Sequence, residues 1–132
     1  MGLFKFNKTL SVNDIERLER QLKINLPDDY KEQIGSINGQ GYTNSYVPHK
    51  SLGEIPYSRN VSLNKRDKYN IYDIYGKVIE DKRYFPFANT GTGNYYCFDL
   101  HKNNVVLWLH ETETIVYLCD TFSELMRKIW RW

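Results

Sequence analysis

Residues 84–111 read YFPFANTGTGNYYCFDLHKNNVVLWLHE, and this stretch decides the fold. Three apolar or aromatic runs are separated by two sets of turn residues. Tyr84, Phe85 and Phe87 surround Pro86, and the first run ends at Asn89. In Thr90-Gly91-Thr92-Gly93-Asn94 the two glycines accept positive φ without the steric penalty of a Cβ. Tyr95 to Leu100 follows as an aromatic-rich strand, His101-Lys102-Asn103-Asn104 is a polar turn, and Val105 to Leu109 is a strand led by β-branched residues. Beyond Glu111-Thr112-Glu113, the run Thr114 to Cys119 has the same character. The pattern predicts an antiparallel meander on which the other elements pack.

Those other elements are helical at both ends. Ser11 has the character of an N-cap, with Asp14 three residues on in a capping box, and Val12, Ile15, Leu18 and Leu22 fall on one face. After Lys23-Ile24-Asn25-Leu26, Pro27 suits the first position of a second helix, because its absent N–H would go unpaired there anyway. Asp28 and Asp29 complement the helix dipole, Tyr30, Ile34 and Ile37 form the inward stripe, and Asn38-Gly39 closes the helix. Near the other end, Thr121 with Glu124 makes a second capping box ahead of Phe122, Leu125, Met126 and Ile129. The fold class is therefore α+β: a central antiparallel sheet flanked by an N-terminal helical hairpin and a C-terminal helix, with residues 1–132 in a single domain.

The middle of the chain is less patterned. Tyr42 to Val47 and Leu52 to Ile55 read as short strands. The polar stretch 58–68, with Arg59, Lys65, Arg66 and Lys68 against the single acid Asp67, reads first as a solvated connection and second as a basic edge for an acidic partner. Over 70–80, Ile71, Tyr75, Val78 and Ile79 fit a short helix face. Ile71 to Tyr75 also has strand character, and Gly76 weakens both readings.

Composition excludes several functions. Across 132 residues the formal charge is +2, too balanced for a whole-surface nucleic-acid footprint or a globally acidic decoy. Aromatics make up 15% with 11 Tyr, so much of the apolar surface carries a polar tip suited to half-buried positions and interfaces. Cys97 and Cys119 lie in predicted strands and in no C-x-x-C pair, which makes them buried thiols rather than a zinc or redox site. Met1 to Leu10 alternates with Lys5 and Lys8 and has no leader character, and no apolar run approaches bilayer length. A cytoplasmic protein without cofactor is expected.

Catalytic motifs fail on spacing. Gly91 and Gly93 would need a third small residue at Tyr96 and a following helix to bind a dinucleotide. His110-Glu111 lacks the second histidine of a zinc protease, since Thr114 stands there, and nothing supplies the P-C-x-x-C half of a zinc deaminase.

Four blocks in order carry a family resemblance. LPDDYKEQI followed by NGQG, then YFPFANTGTGNYYCFDL, then VVLWLHE, then TFSELMRKI together resemble the SMI1/KNR4 (SUKH) superfamily, over roughly Ser11 to Ile129. The resemblance implies an α+β fold and, in the bacterial branch, an immunity protein that binds the C-terminal domain of a polymorphic toxin and blocks it. A fungal branch implies a regulatory scaffold instead. On that basis the exposed edge of the meander and its turns is the expected contact surface, with Tyr42, Tyr46, Asn94, Tyr95, Asp99, Trp108, His110 and Glu111 as candidates. Against that, Trp108 reads first as core, Tyr95 as a sheet-face residue and Asp99 as a turn or strand-end acceptor. Acidic pairing with a basic toxin requires local clustering, as at Asp99, Glu111 and Glu113, because the chain as a whole is mildly basic. Two rival classes are an anionic-ligand or nucleic-acid binder using Arg59, Lys65, Arg66 and Lys68, and a hydrolase with His110 and Glu111 as its acid–base pair.

Overall fold

A computed structural model describes residues 10–132; the reading of Met1 to Leu10 as leaderless falls almost wholly outside them. Helix α1 (Val12–Leu22) begins with the expected capping box. The Ser11 Oγ accepts from the Asp14 amide at 3.1 Å, and the Asp14 carboxylate accepts from the Ser11 amide at 3.0 Å. Ile15 and Leu18 are buried, but Val12 is 70% exposed. Leu10 packs against the core at that end instead, where its amide donates to the Gly35 carbonyl of α2 (Asp28–Ile37). Pro27 is the N-cap of α2 rather than its first helical residue: its ψ of 142° is extended, and its fixed φ fits either position. At the far end of α2, Gly39 takes φ 72°.

Strands β1 (Ser45–His49) and β2 (Gly53–Pro56) form a hairpin close to the two predicted strands. The stretch 58–68 is not a solvated connection. It contributes β3 (Arg59–Asn60) to the edge of the main sheet, and Asn60, Val61, Ser62 and Leu63 are all buried. Side chains satisfy the buried polar groups there. Asn38 accepts from the Leu63 amide (2.8 Å) and donates to the Ser62 hydroxyl (3.2 Å), which donates to Asp67 (2.6 Å). Asn60 donates to the Ile37 carbonyl at 3.0 Å. Charge count hid this, because the burial follows from pairing with the end of α2.

Helix α3 (Ile71–Ile74) is the short helix expected, capped by the Asn70 side chain. Val78 and Ile79 lie beyond it: Val78 is exposed, while Ile79 is buried in a second apolar cluster. The meander follows as β4 (Tyr84–Asn89), β5 (Tyr95–Asp99), β6 (Asn104–Leu109) and β7 (Thr114–Cys119), each antiparallel to the last. Helix α4 (Phe122–Lys128) is capped by Thr121, whose Oγ1 accepts from the Glu124 amide at 3.0 Å. The Glu124 carboxylate reaches back to the Asp120 amide rather than closing the box on Thr121. The chain then adds β8 (Trp130–Arg131), which pairs with β1.

Two sheets result, ordered β3-β4-β5-β6-β7 and β2-β1-β8. The inner face of the larger carries Phe85, Phe87, Tyr96, Phe98 and Leu107, and the helices set Tyr30, Ile34, Phe122 and Leu125 among them. The outer face carries Cys97, Val106 and Trp108 beneath Ile79 and Tyr95. Burial on both faces is why β4 to β6 read as nearly continuous apolar runs rather than alternating ones.

The Tyr30 ring lies 5.0 Å from Phe98 and 5.2 Å from Phe122, both edge-on, and its hydroxyl is fully buried with no hydrogen-bond partner among the described residues. Removing an unpaired buried hydroxyl relieves a desolvation cost, so Tyr30→Phe is expected to leave stability unchanged or raise it by about 1 kcal/mol. Phe87→Ala, which opens a cavity in the same cluster, is expected to cost about 3–5 kcal/mol. Urea unfolding of both variants checks the pair; a Tyr30→Phe protein clearly weaker than wild type would mean that the hydroxyl has a partner in solution.

Candidate partner-binding surface

Two turns of the meander are locked together at one end of the sheet. In the turn between β4 and β5, Gly91 and Gly93 take φ of 83° and 99°, and the Thr90 amide donates to the Asn94 carbonyl. A Cβ on Gly93 would come within 3.0 Å of the His110 ring, so glycine lets that ring lie against the turn. The Asn94 Oδ1 accepts from the His110 amide at 3.0 Å and lies 3.0 Å from His110 Nδ1, which donates to it when protonated. One asparagine thus joins the β4–β5 turn to the β6–β7 turn. Tyr95 and Trp108 pair directly across β5 and β6, ring centroids 6.2 Å apart, immediately below that junction.

Beside Tyr95 lies a groove of about 390 Å³ lined by Ser58, Arg59, Tyr69, Asn89, Gly91, Gly93 and Tyr95. It adjoins a hollow of about 280 Å³ that shares Arg59 and Tyr69 and adds Lys68 and Asp67. The Arg59 guanidinium donates to the Gly39 carbonyl at 2.8 Å, and the Lys68 ammonium stands 5.7 Å from the Tyr69 ring. Burial raises the Tyr95 phenol above its usual pKa, so it stays protonated and able to donate.

The eight sequence candidates fall in four places. Asn94, Tyr95, Trp108, His110 and Glu111 gather at the locked turns, where His110 and Glu111 are exposed, Asn94 and Tyr95 half-buried, and Trp108 buried on the outer face. Tyr42 is half-buried, edge-on to Tyr57 at 5.1 Å, with its hydroxyl accepting from Asn60. Tyr46 belongs to the smaller sheet, 5.5 Å from the Trp130 ring. Asp99 sits at the far end of β5, about 13 Å of strand from Tyr95, and is buried. Arg83 donates to both of its carboxylate oxygens at 2.8 Å, and the His101 and Lys102 amides donate to Oδ1. Asp99 thus builds a turn and presents no free charge.

The four cations of the middle stretch also divide. Arg59 lines both the groove and the adjoining hollow and Lys68 lines the hollow alone, whereas Lys65 and Arg66 line a different hollow with Asp14, Arg17 and Tyr72. His110 and Glu111 do not line the groove. Both thiols are buried; burial pushes Cys97 well above the usual value and Cys119 to about 11, so neither is a thiolate at neutral pH. Sequence reading missed the aromatic patch on the smaller sheet. There Trp130 donates from Nε1 to Glu54 at 2.7 Å and makes tilted ring contacts with Tyr46 and the 81%-exposed Trp132. The clustered Trp and Tyr were visible in the sequence, but their meeting depends on β8 pairing with β1.

A model of the SMI1 / KNR4 family (SUKH-1) matches residues 9–128, nearly the whole chain. The chain belongs to this family. No curated protein and no solved structure matches it significantly. The SMI1/KNR4 family includes immunity proteins, and its members generally bind protein partners and are generally non-catalytic. The matched span covers the meander, the locked turns and α4, and ends before β8. Among the described residues no helix is long and apolar enough to cross a membrane, and no three His, Cys, Asp or Glu side chains are grouped to hold a metal.

The Asp99–Arg83 pair gives this SMI1/KNR4 domain a signature in acid. Burial pushes the Asp99 carboxyl up, but the hydrogen bonds from Arg83, Lys102 and His101 together outweigh it and hold the group below its usual pKa. A carboxylate with a lowered folded-state pKa contributes stability above the unfolded value of about 4 and loses it as pH falls through the folded value. Asp99→Asn is therefore expected to be less stable than wild type at pH 7, with the gap narrowing below about pH 4. Urea midpoints measured across that range check it; a gap that does not change with pH would make the role purely steric.

Proposed function

We propose that this chain is an immunity protein: it binds a cognate toxin domain and covers its reactive site, performing no chemistry itself. The observation that carries the reading is the locked pair of turns, which places Tyr95, His110 and Glu111 on one rigid surface of an SMI1/KNR4 domain. An occluding inhibitor needs shape held in place before binding, and a platform packed on both faces supplies it. Half-buried tyrosines suit the anchor positions, and a standard interface of about 800 Å² per partner extends well past the groove. The toxin is the C-terminal domain of a polymorphic toxin, a nuclease, deaminase or similar, and the complex forms in the cytoplasm of the cell protected. The whole chain acts as one such domain.

The test is co-expression with the toxin encoded beside it. The wild-type chain is expected to restore growth and to co-purify with the toxin domain. Tyr95→Ala is expected to weaken the complex by about 30-fold, the scale of an aromatic anchor, with its circular dichroism unchanged. Glu111→Ala, an exposed charge, is expected to slow association and reduce its salt dependence. Full protection by both variants would move the interface elsewhere. Turnover of a substrate by the purified chain, or no toxin retained by it, would sink the reading.

Arg59, Lys68 and Tyr69 together lining the hollow beside the groove favour a second reading, an anionic ligand held in that hollow. It predicts affinity for single-stranded nucleic acid that falls steeply with salt; no binding at low salt removes it.

A further inference from the structure

Every sheet has outer edges, and proteins protect them with charge, proline or shortness. Three of the four here follow that rule. β3 is two residues long and carries Arg59, β2 carries Glu54 and Pro56, and β8 is two residues long. β7 does not. It is the last strand of the five-stranded sheet, six residues reading TIVYLC, with no charge and no proline. Its side chains pack on both faces: Val116 and Leu118 against the main core, Ile115 against the outer cluster beside Trp108. The strand is thereby fixed in an extended shape. In an antiparallel sheet alternate residues turn their N–H and C=O groups away from the neighbouring strand, and among the described residues no strand pairs with the outer side of β7.

The ends of this edge are acidic. Glu111 and Glu113 stand in the turn before it, exposed, and neither makes an ion pair among the described residues. Asp120 and Glu124 follow it; Asp120 accepts from the Tyr117 hydroxyl at 2.6 Å, and Glu124 is paired with Lys128 at 3.7 Å. Such brackets select what can lie along the strand. A second copy paired antiparallel over the full length of β7 would set Glu113 opposite Asp120 of that copy, twice, acid against acid. Like charges opposed across a strand pair are destabilising. An extended segment carrying a lysine or arginine at each end meets opposite charge at both.

We propose that β7 is a strand-addition site, taken by an extended, basic-ended segment of the partner protein, which continues the sheet by one strand. The site rests on the immunity reading for the identity of the partner, and the turn at 110–113 makes it continuous with Tyr95, His110 and Glu111. Main-chain hydrogen bonds supply affinity along the edge, while the acids at its ends set register and discriminate between segments.

Two measurements test it. Isotopically labelled protein is titrated with acetylated, amidated Lys-Thr-Val-Thr-Val-Lys and with the same peptide ended by glutamate. The lysine-ended peptide is expected to shift amides of β7 and β6 and to slow their hydrogen exchange. The glutamate-ended one is expected to bind at least about threefold more weakly at low salt, with the difference shrinking as salt is added. Equal binding of the two, shifts confined to other surfaces, no binding of either, or a dimer of the chain paired through β7 would each overturn the proposal.

The second measurement uses the co-expressed toxin domain. Tyr117→Lys places a charge on the open edge, and the Glu113→Gln, Asp120→Asn double variant removes the brackets with little change of shape. Each is expected to weaken the complex by about three- to tenfold, the range for one or two exposed charges. Complexes as tight as wild type in both variants overturn strand addition and leave the immunity reading standing. Failure of the wild-type chain to hold the toxin at all would overturn that reading instead, while the peptide result still decides the edge.

Discussion

Five aromatic rings hold this molecule together. Tyr30 from α2 and Phe122 from α4 meet Phe85, Phe87 and Phe98 on the inner face of the meander, with Phe87 and Phe98 stacked at 4.3 Å and Phe122 edge-on to Phe87 at 5.5 Å. Rings of this size bury about 150–250 Å² each and prefer offset and edge-to-face geometry, so the cluster supplies both the driving force and the orientation of the helices. Because these residues come from widely separated parts of the chain, the cluster completes only when helices and sheet have docked.

Around that centre the polar groups follow a different rule: apart from the Tyr30 hydroxyl and Asn104 Oδ1, the buried side-chain oxygens and nitrogens among the described residues are met by specific partners. Asn38, Asn60, Ser62 and Asp67 connect the end of α2 to β3, so that a stretch of ordinary polar sequence becomes part of the interior. Asp99 does the same at the β5–β6 turn, with Arg83 and two amides. These networks set where the sheet begins and where its far turn points, and they leave the other end of the meander to carry the half-buried Tyr95 and the exposed His110, Glu111 and Glu113.

The proposed contact surface therefore lies on an edge held in place by packing. The outer cluster of Ile79, Cys97, Val106 and Trp108 packs the second face of the sheet, so the turns at 90–94 and 110–113 are held by their strands as well as by Asn94. Glu111, Glu113 and Asp120 at the ends of β7 make no ion pair among the described residues, while Asp99 is neutralised by Arg83. A chain with a formal charge of +2 still presents a local acidic margin, which net charge alone conceals.

The sequence determined everything that depends on near neighbours. The four meander strands, the glycine turn, the capping box at Ser11, the Thr121 side-chain cap and the close of α2 at Gly39 follow from residues a few positions apart, where periodicity and φ preference act directly. Distant partners decided the rest. Val61 and Leu63 are buried where the chain meets β4 and the end of α2, Leu10 rather than Val12 packs against the core, and Trp130 becomes a strand where β1 offers it an edge. The candidate surface divides the same way: Asn94, Tyr95, His110 and Glu111 lie near one another through hairpin register, which short turns impose. Asp99 was removed from the surface by Arg83, and Tyr46 was carried to the second sheet by a strand pairing that no local pattern encodes.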